Sequence, residues 1–377
     1  MQAFWAVLGI VVLGFGLVDV FLTALDYDEA GFLATRLCAL QWRCLRRIIR
    51  RLPRRWRAAA LRQVTGLNIL LNMTVWMGSV VIGYALIYYG EMVGSNFRYD
   101  GQDLGPGWFS ALYFSAAQLA TVGTSQISPE TNTLRALSIL ETLTGVGLVT
   151  LILTFLFGVY QVVRDLRALS FNFVTAESDL DDPVASLAPY LVRDDLACLE
   201  NHLRSISENF WVYADGLRQH RLAYYFQSGR DQFSLPYVLH MLGHWLGALR
   251  WGLPSGHPAA IPPLLVQLSF RFEQFAHYLQ SQIGWTNATS PVAVSFEAFA
   301  AAYRAGEGAP DRWLGRFLRL DREMARLAGL SLAEDPREAY GRYQQWLPFA
   351  HRLAQLTAAV SRDLDYQPLI QAAARSA

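Results

Sequence analysis

Lysine does not occur in the 377 residues, so all 32 basic side chains are arginine. Charge of either sign is scarce, at 17% of the chain, whereas hydrophobic residues reach 53% and the mean hydropathy is +0.20. Few charges together with long apolar runs are typical of membrane proteins. The length leaves room for a separate soluble domain, and we expect no nucleic-acid partner.

Several motifs are missing as well. The three cysteines, Cys38, Cys44 and Cys198, form no CxxC or Cys/His pattern, so we expect reduced thiols and no metal site. His240 and His244 have the i, i+4 spacing of a metal clamp, but a third ligand is not apparent and packing is the favoured interpretation. No GxGxxG fingerprint or catalytic constellation is present, so we expect neither a nucleotide cofactor nor an enzyme.

Three apolar stretches are long enough to cross a bilayer, which takes about 20 helical residues. They cover residues 3–25, 67–90 and 133–163. We interpret the first as a retained helix, since the basic leader and cleavage site of the alternative, a signal peptide, are missing. A shorter stretch, 107–119, is bracketed by Gly and Pro and suits a re-entrant half-helix.

The loop between the first two spans carries a strong excess of positive charge. Its ten arginines are Arg36, Arg43, Arg46, Arg47, Arg50, Arg51, Arg54, Arg55, Arg57 and Arg62. The positive-inside rule places segment 36–62 in the cytoplasm of a bacterial-type inner or plasma membrane, with the N-terminus outside and the C-terminal domain cytoplasmic. Part of the segment is amphipathic, which indicates either anionic-lipid binding or a connector that only sets topology.

The sequence TVGTS follows the predicted half-helix. Its residues are Thr121, Val122, Gly123, Thr124 and Ser125. Irregular backbone at membrane depth is tolerated only where protein buries it or water lines it. Successive carbonyls and a Thr hydroxyl can replace the hydration shell of a cation, and glycine permits the backbone shape this needs. One strand cannot enclose an ion, so a single pore loop per chain predicts a homotetramer.

Residues 107–163 resemble the pore module of two-transmembrane potassium channels. The similarity rests on ALYFSAAQLA before TVG, on Pro129 after it and on Gly145 in the next span. It implies an outer helix, a pore helix, a filter that holds potassium, and an inner helix. Family filters usually end TVGYG followed by Asp, so Thr124, Ser125 and Gln126 leave the outer half of the filter without its usual Tyr brace.

The third span contains groups that we expect to serve this pore. Glu141 is an intramembrane carboxylate, and we predict that it braces the pore helix or filter backbone; a protonated or water-bonded Glu near the interface is the alternative. Val146, Val149, Leu153 and Phe157 share a helical face that the resemblance turns toward the pore, where the last two form an apolar gate or merely pack. Gly145 and Gly147 are either a hinge or close-packing residues.

The predicted fold is an all-α membrane protein. It has a potassium-channel-like pore, an additional N-terminal transmembrane helix and an all-α cytosolic domain. The expected segments are an N-terminal helix at 1–26, a basic connector at 27–66, the pore domain at 67–163, a linker at 164–187 and the cytosolic domain at 188–377. Cytosolic helices are predicted at 188–227, 235–252, 262–284, 292–304, 311–329 and 335–363.

The function predicted from these features is conduction of monovalent cations through TVGTS, gated by the inner helix and regulated by the cytosolic domain. The expected partners are other copies of the chain and membrane lipids. Because the filter is altered, a non-conducting sensor or assembly platform on a degenerate channel fold is the main alternative. An enzyme anchored by a channel fold is a weaker one.

Overall fold

In the computed structural model, almost all segments with helical periodicity in the sequence are α-helices. The structure describes residues 2–25, 32–49, 51, 53–93, 96–100, 105–174, 183–191, 196–226, 228, 230–254, 256–260, 262–284, 289–305, 311–331 and 335–366. These residues fall into two compact units, one from residues 1–163 and 216–226 and the other from residues 164–215 and 227–377.

The membrane part of the chain is built from long helices and one small sheet. Its elements are α1 (Gln2–Leu25), α2 (Phe32–Ile49), α3 (Arg54–Val93), β1 (Phe97–Tyr99), α4 (Trp108–Leu119), β2 (Ile127–Pro129) and α5 (Asn132–Phe171). Among the described residues, three segments are long and apolar enough to cross a membrane, Gln2–Thr23, Gly66–Met92 and Asn132–Phe171. The three predicted spans and the intervening half-helix are therefore present.

Helices α1 and α3 pack antiparallel through small residues. A side-chain carbon at Gly9 would lie 2.6 Å from the carbonyl oxygen of Gly83, and one at Gly16 would collide with the Ser79 hydroxyl. Small residues let membrane helices approach closely, which matters where lipid removes the hydrophobic drive for association. Further along the pair, Trp76 Nε1 donates to Asp19 Oδ2 at 3.0 Å, so the carboxylate of the first span is buried and bonded.

Two helices differ from the bounds that hydropathy gives. Helix α3 begins at Arg54, well before residue 67, because arginine and alanine are good helix formers and continue the helix beyond its apolar part. Helix α5 continues to Phe171, so the expected linker 164–187 starts in helical residues. Residues 175–182 of that linker lie outside the described residues. The sequence did not predict β1 and β2.

The remaining helices form the C-terminal unit, except that the last turn of α7 (Leu196–Gln219) belongs to the membrane unit. They are α6 (Ala188–Leu191), α7, α8 (Leu235–Trp251), α9 (Pro262–Ile283), α10 (Phe296–Ala305), α11 (Arg312–Leu327) and α12 (Pro336–Asp363). In the core of the C-terminal unit the Arg342 guanidinium pairs with Asp321 at 2.7 Å and donates to the Trp251 carbonyl at 2.8 Å. The predicted helix 188–227 is wrong at its end, because α7 stops at Gln219 and a 3-10 helix follows at Arg221–Tyr225. The predicted all-α fold class is confirmed.

Candidate ion pore

The segment that follows α4 reverses direction through two left-handed residues. The amides of Val122 and Gly123 both donate to the Ala117 carbonyl at 3.0 Å. Thr121 has φ +59 and Gly123 has φ +68. Glycine adopts this region readily, whereas a β-branched threonine is strained there. Strain of this kind concentrates at functional sites, and it falls here on the first residue of TVGTS.

The TVGTS segment lies at the surface of the single chain. The Val122 side chain is 81% exposed, Thr121 and Ser125 are exposed, and Gly123 and Thr124 are half-buried. The Thr124 hydroxyl accepts a hydrogen bond from the Gln126 amide at 3.1 Å. A loop between two spanning helices is compatible with a bilayer only if other protein or water covers it. The described part of the chain leaves most of this segment uncovered.

Glu141 of α5 is wholly buried against the pore helix, at 0% exposure. Its Oε1 atom lies 2.5 Å from the Ser115 hydroxyl of α4, and the same hydroxyl lies 2.9 Å from the Val81 carbonyl of α3. A hydroxyl carries one proton, so it can donate to only one of these acceptors. The Ser115 hydroxyl therefore donates to Glu141 or to Val81, and both oxygens lie within hydrogen-bond distance of it.

A polar layer extends this contact across three helices. The second oxygen of Glu141 and the Tyr88 hydroxyl of α3 are buried as well. The Tyr84 hydroxyl shares a hydrogen bond of 3.2 Å with the Thr144 hydroxyl of α5. Glu141 thus touches the pore helix as the sequence led us to expect, although the sequence did not single out Ser115. Its role as a brace stays a prediction.

Helix α5 has one face packed inside the chain and another exposed. The buried face carries Leu148, Ile152, Phe155 and Val159, each no more than 8% exposed. The predicted pore-lining residues lie on the other face and are between 45% and 70% exposed: Val146, Val149, Leu153 and Phe157. An apolar stripe of this kind can face lipid, another copy of the chain or a dewetted pore.

The two glycines of α5 differ in their surroundings. A side-chain carbon at Gly145 would overlap the Leu119 carbonyl oxygen at the end of α4, whereas at Gly147 it would meet none of the described atoms within 4 Å. Gly145 therefore lets α5 approach the pore helix closely. The hinge role stays a prediction for both residues.

A segment from the C-terminal half of the sequence, residues 216–226, folds with the membrane unit. The His220 ring fills the space that a side chain at Gly158 of α5 would need, and it meets Phe155 edge-on with ring centroids 5.7 Å apart. Tyr225 lies against Trp42 of α2 at 5.0 Å. Burial lowers the pKa of the His220 imidazole below its ordinary 6.5. A glycine late in a spanning helix is the one sign of this contact that we find in the sequence.

The histidine pair considered for metal binding lies on α8. The His240 and His244 rings are 4.3 Å apart, and His244 Nδ1 is 2.8 Å from the His240 carbonyl oxygen. Within the described ranges, no group of three His, Cys, Asp or Glu side chains is placed to hold a metal ion. Of the cysteines, Cys44 and Cys198 are exposed, and the side chain of Cys38 lies outside the described residues.

Three spanning helices, with a half-helix and an irregular strand between the second and third, define a multi-pass pore-type membrane protein. Residues 73–162 match the family model described as ion channel, so this segment is an ion-channel family domain. The match runs from α3 through α4 and TVGTS into α5. It confirms the resemblance that the sequence suggested.

One similar protein is the uncharacterized membrane protein YdjJ of Bacillus subtilis (strain 168). It is 24% identical over 181 residues, which cover 48% of this chain and 51% of that protein. The chain therefore aligns with about half the length of this relative. No solved structure matches the chain.

Proposed function

We propose that the protein is a homotetrameric, potassium-channel-like cation channel in a bacterial-type inner or plasma membrane. The observation that carries this proposal is the half-helix α4, which leads into TVGTS inside an ion-channel family domain. Monovalent cations, potassium foremost, exchange their hydration shells for oxygens of Thr121–Ser125. Apart from the permeant ion, no cofactor or metal takes part, and no chemical reaction is catalysed.

The need for four copies follows from the position of the filter. It lies at the surface of one chain, where a single strand of carbonyls cannot surround an ion. A cyclic arrangement of identical chains brings equivalent carbonyls to one axis and covers each filter with its neighbours. The exposed stripe from Val146 to Phe157 then lines the inner pore, where four copies of Leu153 and Phe157 form an apolar gate.

Regulation by the cytosolic domain has a physical route in this proposal. Residues 216–226 pack on α5 at Phe155, Gly158 and Val162, on the side of the helix away from Phe157. A rearrangement of the C-terminal unit that pulls this segment would bias the inner helix. The arginine-rich segment 36–62 fixes the orientation, with the N-terminus outside, and offers cations to anionic headgroups.

The test is ion flux into liposomes that contain the purified full-length protein. The wild type should carry a potassium flux. Gly123→Val should abolish it, because valine is strained at φ +68. Phe157→Asn should raise the flux, because four asparagine side chains, one from each copy, make the constriction polar and keep water in it. Val11→Asn on the exposed face of α1 is the matched control and should leave the flux unchanged.

Two outcomes would overturn the proposal. A wild type that carries neither potassium nor sodium at any potential would favour the non-conducting sensor or platform. A flux that survives Gly123→Val would remove TVGTS from the ion path.

A further inference from the structure

The chain leaves the filter through a short antiparallel ladder. Strand β1 pairs with β2 in the register Phe97–Pro129, Arg98–Ser128 and Tyr99–Ile127. Two more backbone bonds lengthen the pairing, one from the Asp100 amide to the Gln126 carbonyl at 2.9 Å and one from the Glu130 amide to the Asn96 carbonyl at 3.1 Å. Residues 126–130 thus each lie opposite a partner, and the ladder begins one residue after Ser125.

One face of this ladder is anchored in an aromatic cluster. Side chains alternate between the faces of a strand, so Phe97 and Tyr99 share a face with Ile127 and Pro129. Phe97 and Ile127 are 5% and 1% exposed. The Phe97 ring meets Tyr88 of α3 at 5.9 Å and Phe114 of α4 at 5.4 Å, in the edge-to-face geometry that favours aromatic contact. The ladder is therefore fixed to both the outer helix and the pore helix.

Hydrogen bonds therefore hold the filter segment at both of its ends. At its inner end Val122 and Gly123 bond to Ala117 of the pore helix. At its outer end the Gln126 carbonyl accepts from Asp100, while the Gln126 amide donates to the Thr124 hydroxyl. Since Thr124 and Gln126 are bonded to each other, the position of the ladder is passed directly to the outer half of the filter.

We propose that β1, anchored by Phe97, positions the outer end of the filter and so helps to set the discrimination between potassium and sodium. Phe97 and Ile127 are positioning residues in this scheme, because they act on the ion only through the backbone of residues 124–126. The proposal rests on the conducting function proposed above. Selectivity depends on the spacing and mobility of oxygen ligands, so loosening one end of the strand changes the ratio of the two permeabilities.

The test compares variants of the two faces of β1 in liposomes, with potassium on one side and sodium on the other. Phe97→Ala removes the anchor and should change the potassium-to-sodium permeability ratio by about threefold or more, because the outer ligands then move. Phe97→Tyr keeps the ring and should restore the wild-type ratio. Arg98→Ala, on the opposite face with a side chain 69% exposed, is the matched control and should leave the ratio unchanged.

The outcomes separate this proposal from the function on which it rests. No flux from the wild type overturns both. Normal flux with an unchanged ratio in Phe97→Ala overturns the positioning role alone. If Phe97→Ala does not assemble, Asp100→Pro makes the same test, since it removes the amide that bonds Gln126 without opening a cavity. An unchanged ratio in that variant contradicts the proposal equally.

Discussion

Glu141 and Ser115 form the contact at which a single substitution should report on the filter most directly. Both side chains are fully buried, and together they join α3, α4 and α5. A buried hydrogen-bonding group that loses its partner costs about 1–3 kcal/mol. We therefore expect the pair to contribute to the stability of the pore helix as well as to its position.

We predict that Glu141→Gln and Glu141→Leu have different effects. The glutamine side chain keeps an oxygen that accepts from Ser115, so this variant should resemble the wild type. Leucine cannot accept a hydrogen bond, and it should lower the thermal stability of the tetramer by the equivalent of about 1–3 kcal/mol and reduce the preference for potassium. The measurements are thermal denaturation of the detergent-solubilised protein and the reversal potential with potassium opposite sodium.

The control for this prediction is Ser138→Ala, one turn earlier on α5, whose hydroxyl donates to the local Arg135 carbonyl. It should change neither quantity. Equal behaviour of the Leu and Gln variants would show that the hydrogen bond to Ser115 carries no part of the brace. A strong loss in Glu141→Gln would instead mean that the ionised carboxylate is the required form.

At the scale of elements, we expect the contact between residues 216–226 and α5 to respond to protonation of His220. Phe155 and Gly158 face the His220 ring, and Val162 packs beside it on Gly216. Burial lowers the pKa of His220, so the proton binds more tightly when the segment is released. The contact is complete above the ordinary histidine pKa and weakens as pH falls through that value toward the lowered one.

We predict that flux through the wild type changes by about threefold or more between about pH 8 and about pH 5, and that His220→Phe flattens this dependence. Phenylalanine keeps a ring against Gly158 but cannot be protonated. Gly158→Leu should expel the ring and give the acid behaviour at neutral pH. His277→Phe, at an exposed histidine, is the control. Identical pH profiles for the wild type and His220→Phe would exclude the contact as the sensor.

The elements that the sequence predicts well are those with strong local periodicity. Helices α1, α4, α8, α9 and α12 begin and end within about two residues of the expected bounds, because apolar spacing and Pro or Gly breaks are local signals. Three-residue strands carry no such signal, and the pairing of Phe97 with Pro129 depends on residues far apart in sequence. Hydropathy also misses the arginine-rich start of α3. It detects the apolar residues that lie within the membrane, whereas the helix extends beyond them.

Some features of the pore can be recognised in the sequence for a similar reason. TVGTS, the half-helix before it and the carboxylate in the third span stand out because each is unusual at membrane depth. Ser115 does not stand out, since a serine in a pore helix is ordinary until Glu141 is placed beside it. His220 lies on a helix end predicted to continue, so its docking against Gly158 could be found only from coordinates.

At the scale of the whole molecule, the proposed assembly has to cover surfaces that one chain leaves exposed. The stripe from Val146 to Phe157 and the filter residues lie on surfaces that the described part of the chain leaves open. Helix α1, in contrast, buries one face against α3 and exposes Phe4, Val11 and Phe15 in the manner of a lipid-facing helix. In the proposed tetramer we therefore expect α1 to be outermost, with TVGTS and the stripe turned toward the other copies.

Mixing intact and disabled chains tests the number of copies directly. If every pore needs four sound filters, equal amounts of wild type and Gly123→Val should retain about 6% of the wild-type flux, against about 25% for a dimer and about 50% for independent chains. Two affinity tags purified in sequence verify that the chains assemble together, and mixing with the silent Arg98→Ala chain controls for total protein. A residual flux near one half with confirmed co-assembly would mean that each chain conducts by itself, and the shared central filter would have to be abandoned.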